Sequence, residues 1–382
     1  MSGTRRDALI AAVRRRCADA DDVVDTVRLA ALIREEANGL ISDRELLEVL
    51  TEAEAEVLGA GPLEALLNTW DVTDVLVNGP DDVWVDQGGG LRRTAIRFSG
   101  PEEVADLAKR LAARAGRRLD AAHPWVDATL PDGCRLHAVI PPIAADCALL
   151  SVRTMRRRTL SLTDLLEDGL DPAVADLLVE MVRARLSFLV SGGTGSGKTS
   201  LLSMLLEHVD PTERVVIAED ADELRPRHPH TVKILSRPSN IEGAGELTLR
   251  MLVRQALRMR PDRIIVGEVR GAEVIELLMA LNTGHQGGAG TVHANSVEDV
   301  PARIRALGML ADISAEAIDA QLTSAVDVLV HVGRDPAGIR GVHQIAVLEA
   351  TEHAPIATTV WGREDGFTKD VALLAEVLEG RR

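Results

Sequence analysis

The chain has 382 residues, 46% of them apolar, a formal net charge of −16, and only 2% aromatic side chains, with no tyrosine. This length makes two domains, their cores resting on Leu, Val, Ile and Ala, and the acidic balance counts against a non-specific nucleic-acid binder, which needs clustered Lys and Arg. Three cysteines, Cys17, Cys134 and Cys147, are odd in number and lack zinc spacing, as in a reduced cytoplasmic compartment; with no 18-residue apolar run and no signal-peptide core, the expectation is a soluble protein recruited to any membrane it serves.

Residues 1–55 carry apolar positions at helical spacing (Leu9, Ile10, Val13; Val24, Val27, Leu29, Leu32, Ile33; Leu46, Leu47, Leu50) among abundant charge, and predict a helical extension of two or three surface helices. At Gly59-Ala60-Gly61-Pro62 the texture changes. Residues 56–155 predict a small α+β domain: β-like runs at 75–78 and 83–86 around the turn Gly79-Pro80-Asp81-Asp82, a helix over about 102–115, then strands at 134–140 and 148–153. Arg153 and the basic run at 156–158 open the linker, where a solvated charge run and a subunit-interface role fit equally.

Residues 156–350 alternate strand and helix and predict a mostly parallel, doubly wound α/β sheet. Its first strand, Leu186-Ser187-Phe188-Leu189-Val190, runs into Ser191-Gly192-Gly193-Thr194-Gly195-Ser196-Gly197-Lys198-Thr199-Ser200 and then an apolar helix. Gly192, Gly197, Lys198 and Thr199 satisfy G-x-x-x-x-G-K-[ST], in the strand–loop–helix context that a phosphate-binding loop requires. Glycines let successive N–H groups turn toward phosphates, the helix N-terminus adds partial positive charge, Lys198 supplies a point charge, and the Thr199 hydroxyl is placed to ligate Mg²⁺. The predicted ligand is ATP or GTP with Mg²⁺.

In such sheets ligands sit beyond the carboxyl ends of the strands, which puts Glu219, Glu268 and His293 on the edge that carries the loop. The strand 263–266 ends Gly267-Glu268, with glycine where a nucleotide hydrolase usually places its metal-supporting Asp. Glu268 is therefore the candidate for orienting or activating water, and Mg²⁺ depends on Thr199 and waters, with Glu219 or Asp220 as further candidate ligands. At least one of Glu219, Asp220, Asp222 and Glu223 is expected to act in catalysis. His285 and His293 flank Gly287-Gly288-Ala289-Gly290 as candidate γ-phosphate contacts, and no Cys or second carboxylate completes a metal set around them. The C-terminal half shows no evident arginine for its own phosphates, which points to one supplied by another subunit. Residues 351–382 read as a tail with Trp361 and a short helix.

Taken together, these motifs resemble the secretion ATPase superfamily of type II and type IV secretion and type IV pili, most like its Tad/Flp pilus assembly branch, over roughly residues 55–335. The matching segments are the phosphate loop, the acidic box Ala218-Glu219-Asp220-Ala221-Asp222-Glu223-Leu224, the strand ending Gly267-Glu268-Val269-Arg270-Gly271, and the histidine box with Thr283-Gly284-His285 and Thr291-Val292-His293-Ala294-Asn295-Ser296. Val75-Leu76-Val77-Asn78-Gly79 and Leu130-Pro131-Asp132-Gly133-Cys134-Arg135 also look like family segments. The chain departs from the pattern at His137 and at Gln286-Gly287-Gly288-Ala289. The resemblance implies a homohexameric ring of RecA-like domains that hydrolyses ATP, with Glu268 as catalytic glutamate and Arg135 and Arg153 reaching the phosphates from the N-terminal domain. It further implies a cytoplasmic motor at the inner face of the membrane, working on platform proteins of a pilus or secretion machine. The same core would serve a nucleic-acid-translocating motor or a nucleotide-dependent scaffold without motor activity; the acidic balance and the lack of an aromatic-plus-basic track count against the first.

Overall fold

A computed structural model of the chain describes residues 6, 8–10, 12–13, 16, 26–38, 41–54, 59–154, 161–167, 169–237, 244–335, 338, 340–352 and 354–381. The basic run at 156–158, Cys17 and Val24 lie outside them. The chain divides into two compact units, Met1–Arg157 and Arg158–Arg382.

In the first unit, helices α1 (Thr26–Glu36) and α2 (Asp43–Ala53) bury Leu29, Leu32, Ile33, Leu46, Val49 and Ala53 with Ile10 and Val13 in a small core of their own. The rest of the unit is an antiparallel sheet of β1 (Asp74–Gly79), β2 (Asp82–Asp86), β3 (Leu91–Arg93), β4 (Trp125–Thr129), β5 (Arg135–Val139) and β6 (Leu149–Arg153), in the order β3-β2-β1-β6-β5-β4. Along β1, β5 and β6 the apolar residues alternate, which puts Val75, Val77, Leu136, Ala138, Leu150 and Val152 on one face. Helix α3 (Pro101–Arg114) covers that face with Val104, Leu107, Ala108, Leu111 and Ala112. Its start is set by Pro101 in the first turn and by Glu103, which accepts from the Ser99 N–H and hydroxyl. The strand β4 has no apolar alternation long enough to announce it; its pairing with β5 makes it a strand.

The second unit is built on a nine-stranded sheet. Its strands are β7 (Phe188–Gly192), β8 (Val215–Glu219), β9 (Thr231–Leu235), β10 (Arg263–Val269), β11 (Ala289–Val292), β12 (Val328–Arg334), β13 (Arg340–Glu349), β14 (Ile356–Gly362) and β15 (Gly366–Phe367), in the order β15-β14-β13-β12-β7-β11-β10-β8-β9. From β12 to β9 every pairing is parallel, and β13 to β15 continue the sheet antiparallel. The central strands are buried on both faces, which is why they read as unbroken apolar runs rather than alternating ones. Phe188, Val190, Ile217, Ile265 and Val330 point into one core, shared with α4 (Pro172–Arg183) and α5 (Lys198–Leu206). Leu189, Ala218, Val266 and Leu329 point into the other, shared with α6 (Leu249–Ala256), α7 (Glu273–Asn282), α8 (Val300–Met309) and α9 (Ala315–Ala325). The fold is therefore the doubly wound α/β sheet that the sequence predicts. The segment after Thr351 adds β14 and β15 to this sheet and buries Trp361, and helix α10 (Val371–Arg381) brings Leu374 into the first core.

One buried ion pair ties the amino ends of the strands together. Arg263, 1% exposed, meets both carboxylate oxygens of Glu213 at 2.7 and 3.1 Å and donates to the Val182 carbonyl at 2.8 Å. A guanidinium in that position is tolerated because its charge is paired and its donors are occupied.

Candidate functional site

The strand β7 lies in the middle of the sheet, between β12 and β11, and all five of its residues are buried. It delivers the chain to the carboxyl edge, where Gly192-Gly193-Thr194-Gly195-Ser196-Gly197 wraps round and α5 begins at Lys198. Gly195 (φ +68°) and Gly197 (φ +103°) occupy left-handed backbone, which glycine adopts without strain. At Gly192 (φ +154°) a Cβ would run into the Val332 carbonyl and stand 2.6 Å from Ser196 Oγ, so a side chain is excluded by space as well. Gly193, Thr194 and Gly195 are exposed, whereas the Ser196 hydroxyl turns in and donates to the Gly193 carbonyl at 2.9 Å. The Lys198 ammonium donates to the carbonyls of Gly192 and Gly193 at 2.9 and 2.8 Å. Burial lowers its pKa, and the carboxylates of Glu268 and Glu223 oppose that shift. Thr199 and Ser200 are half-buried on the first turn of α5, and Thr199 Oγ1 stands 3.4 Å from Glu223 Oε2.

Parallel pairing of β8 with β10 sets Ala218 beside Val266 and brings the two acidic strand ends to the same edge. The two carboxylates there differ sharply. Glu219 is 3% exposed; Oε1 accepts from the Leu224 N–H at 2.9 Å, and Oε2 has no hydrogen-bond partner among the described residues. Burial pushes its pKa up to about 8, so near neutral pH it is largely protonated. A Cβ on Gly267 would stand 2.6 Å from Glu219 Cγ and 2.9 Å from Oε1. The glycine in place of the usual aspartate thus has a steric cause: the neighbouring strand's glutamate fills that space. Its Oε1 is engaged by the backbone, and the acid beside the Thr199 hydroxyl is Glu223.

Glu268, one residue further along, is flanked by Arg270 on Oε2 and by His293 Nε2 on Oε1. Burial raises its pKa, but hydrogen bonding and charge from Arg270, with His293 and Lys198, more than offset this and hold the carboxyl below its ordinary range. His293 is pulled down by burial and by the charge of Lys198, against the pull of Glu268. The site therefore offers an ionised carboxylate in a fixed orientation and an imidazole beside it, near enough to Lys198 for their charges to interact. That is equipment for orienting a water molecule next to a bound polyphosphate. The Thr199 hydroxyl and the neighbouring Glu223 fit Mg²⁺ held mainly by phosphate oxygens and water, the usual binding mode of that ion.

His285 does not join this group. It lies ahead of β11, on the amino side, with Nδ1 3.2 Å from the Ala280 carbonyl at the end of α7. β11 runs parallel to β7, so His293, after its carboxyl end, reaches the loop edge, while His285, ahead of its amino end, lies at the opposite edge. Arg135 and Arg153 belong to the first unit, where they are direct neighbours on β5 and β6, and Arg153 Nε donates to Asp74 Oδ1 at 3.0 Å. His137, two residues on, pairs with Asp127 at 2.7 Å.

Two features of the loop's surroundings were not expected from the sequence. The C-terminal half does carry arginines beside its own loop: Arg334 Nη2 is 3.4 Å from the Gly195 carbonyl, and the Arg340 side chain packs beside Gly197. At the root of the loop, Ser191 Oγ and His331 Nδ1 are 3.0 Å apart, both buried, and opposite each other in β7 and β12. Only the register of β12 against β7 would have found either.

Comparison with known proteins agrees with this architecture. The type II/IV secretion system protein family matches residues 56–351. A Mycobacterium tuberculosis protein provisionally named for conjugal transfer is 54% identical over 349 residues, covering 90% of this chain and 99% of that one. The type IV secretion system protein PtlH of Bordetella pertussis is 31% identical over 300 residues, 71% of this chain and 88% of PtlH. Among solved structures, the Yersinia pseudotuberculosis ATPase DotB superposes with a TM-score of 0.54 at 16% identity, covering 87% of this chain and 86% of that one, a likeness of fold.

Proposed function

This chain belongs to the type II/IV secretion system protein family, and from that premise we propose that it is an ATP-hydrolysing motor of a secretion or pilus machine. The observation that carries the proposal is the ionised Glu268, held by Arg270 and His293 at the strand edge that also carries Lys198 and Thr199. In this reading the loop N–H groups, the N-terminus of α5 and Lys198 bind the phosphates, and the Thr199 hydroxyl helps hold Mg²⁺. Magnesium, when bound, neutralises charge on the β- and γ-phosphates. Glu268 accepts a hydrogen bond from the attacking water and aligns it, and His293 lies where it can report the terminal phosphate through Glu268. Glu219 keeps the acidic box in place through Leu224, and Glu223 faces the metal side.

The motor is proposed to act as a homohexameric ring at the cytoplasmic face of the inner membrane, passing its motion to platform proteins of a Tad/Flp-type pilus or a type II/IV secretion system. Arg135 and Arg153 are proposed to reach the phosphates from the N-terminal domain. Among the described residues no helix is long and apolar enough to cross a membrane, which supports recruitment through partners. A second reading, a motor for conjugal transfer of DNA, draws on the name of the Mycobacterium tuberculosis relative; DNA-stimulated turnover separates it from the first.

Two variants test the site. Lys198→Ala removes a charge-assisted contact of roughly 1.5–3 kcal/mol and lowers nucleotide affinity by about tenfold or more. Glu268→Gln keeps ATP binding and loses turnover by about a hundredfold or more. Parental turnover in either variant refutes the assignment. For the ring, turnover per subunit is measured across protein concentration: a steep rise to a plateau supports a site completed by a neighbouring chain, and a constant value in monomeric samples refutes it.

A further inference from the structure

Arg334 and Arg340 stand directly opposite each other at the end of the antiparallel β12–β13 pair. Opposed residues of an antiparallel pair leave the same face of the sheet, so both arginines start from one face. Both side chains meet the phosphate loop. Arg334 Nη2 is 3.4 Å from the Gly195 carbonyl, and Arg340 Cδ is 3.8 Å from where a Cβ on Gly197 would be. The placement follows from topology: Val332 pairs with Gly192, where β7 becomes the loop, so Arg334 lies just past that point beside the loop. Arg334 is exposed and Arg340 is half-buried.

We infer that Arg334 and Arg340 are a cationic wall, contributed by the same chain as the loop, that contacts the phosphates of the bound nucleotide. This rests on the reading of residues 192–200 as the nucleotide site. The electrostatics favour it. The chain carries a net charge of −16, and Glu223 and Glu268 lie close enough to Lys198 to perturb it. A polyphosphate entering such a region meets repulsion that Lys198 and Arg270 oppose, and two further guanidiniums beside the loop add to that attraction. The planar, forked guanidinium also matches phosphate oxygens two at a time, which an ammonium does not.

The test is equilibrium binding of fluorescent methylanthraniloyl ADP and ATP to the full chain, with Mg²⁺, for the parent, Arg334→Gln, Arg340→Gln, the double variant and Lys198→Ala. Each Gln substitution is expected to weaken both nucleotides by about tenfold, equivalent to about 1.4 kcal/mol, and the double variant by more than either single one. Thermal unfolding without nucleotide checks the fold; if a Gln variant does not fold, Arg334→Lys and Arg340→Lys carry the test, with weakened binding expected from loss of the fork. Binding of both nucleotides within twofold of the parent in the folded double variant, while Lys198→Ala has lost it, overturns the inference and leaves the loop reading intact. Loss of hydrolysis at unchanged affinity overturns it too. Parental binding by Lys198→Ala refutes the loop reading itself.

Discussion

Two strand ends pack tightly against each other in the candidate site, which makes Gly267 a position where one methyl group has a measurable consequence. In Gly267→Ala the new Cβ would stand 2.6 Å from Glu219 Cγ and 2.9 Å from Oε1. Gly267 is not in left-handed backbone, so the penalty arises from this contact and not from the main chain. Glu219 cannot swing freely aside, because it is 3% exposed and its Oε1 holds the Leu224 N–H. Overpacking of this kind is destabilising by about 1–3 kcal/mol, which lowers the melting temperature of a unit this size by roughly 2–4 °C per kcal/mol. Glu219→Ala removes the obstructing atoms, so in the double variant the two alanines share the vacated space. The double-mutant cycle, read by thermal or urea unfolding of the four proteins at one pH, should return a coupling of about 1–2 kcal/mol favouring the pair. If the two single penalties simply add, Glu219 does not occupy the space above Gly267, and the account of why this strand carries Gly-Glu is wrong.

Glu219 also gives the protein a pH signature. Its folded pKa is raised from 4.5 to about 8, so the folded state holds the proton more tightly than the unfolded one. The favourable term is fully present below pH 4.5, declines by up to about 1.4 kcal/mol per pH unit as pH rises toward 8, and is lost above it. Glu219→Gln removes this slope; its stability relative to the parent should improve from pH 5 to pH 8.5, and a flat difference in urea midpoints refutes the assignment. Arg263→Met leaves the Glu213 carboxylate without its buried partner and should destabilise the second unit by about 3–5 kcal/mol, with most of that recovered when Glu213→Leu is added. A loss below about 1 kcal/mol, or no recovery in the pair, refutes the view that this ion pair clamps the strand ends.

Much of the site is local in sequence and therefore legible there. The phosphate loop depends on consecutive residues: glycines that accept positive φ at 195 and 197, a lysine and a threonine at the start of a helix, and an apolar strand before them. The unbroken runs at 188–192, 215–219 and 263–269 announce strands buried on both faces, and the rule that ligands gather at carboxyl ends carried Glu219, Glu268 and His293 to the right edge. Hydrophobic periodicity is a weaker signal where a strand is short or half-exposed. The strand β9, whose residues are only partly buried, is one case, and β14, whose buried residues come at its end, is another.

What the tertiary structure alone decided are the relations that depend on strand order and register. His285 and His293 are both near the same glycine-rich loop in the chain, and the direction of β11 sends them to opposite edges of the sheet. The acidic box holds four carboxylates with no local mark of which turns inward; the proximity of β10 buries Glu219 over Gly267, and the turn that follows brings Glu223 to Thr199. Arg334 lies 139 residues beyond the Gly195 carbonyl it contacts, and only parallel pairing of β12 with β7 brings the two together. Composition and spacing determine which chemistry the chain carries, because that chemistry is built from neighbours in sequence. The sheet decides which groups share the site, because a one-residue change of register turns every side chain of a strand to the other face.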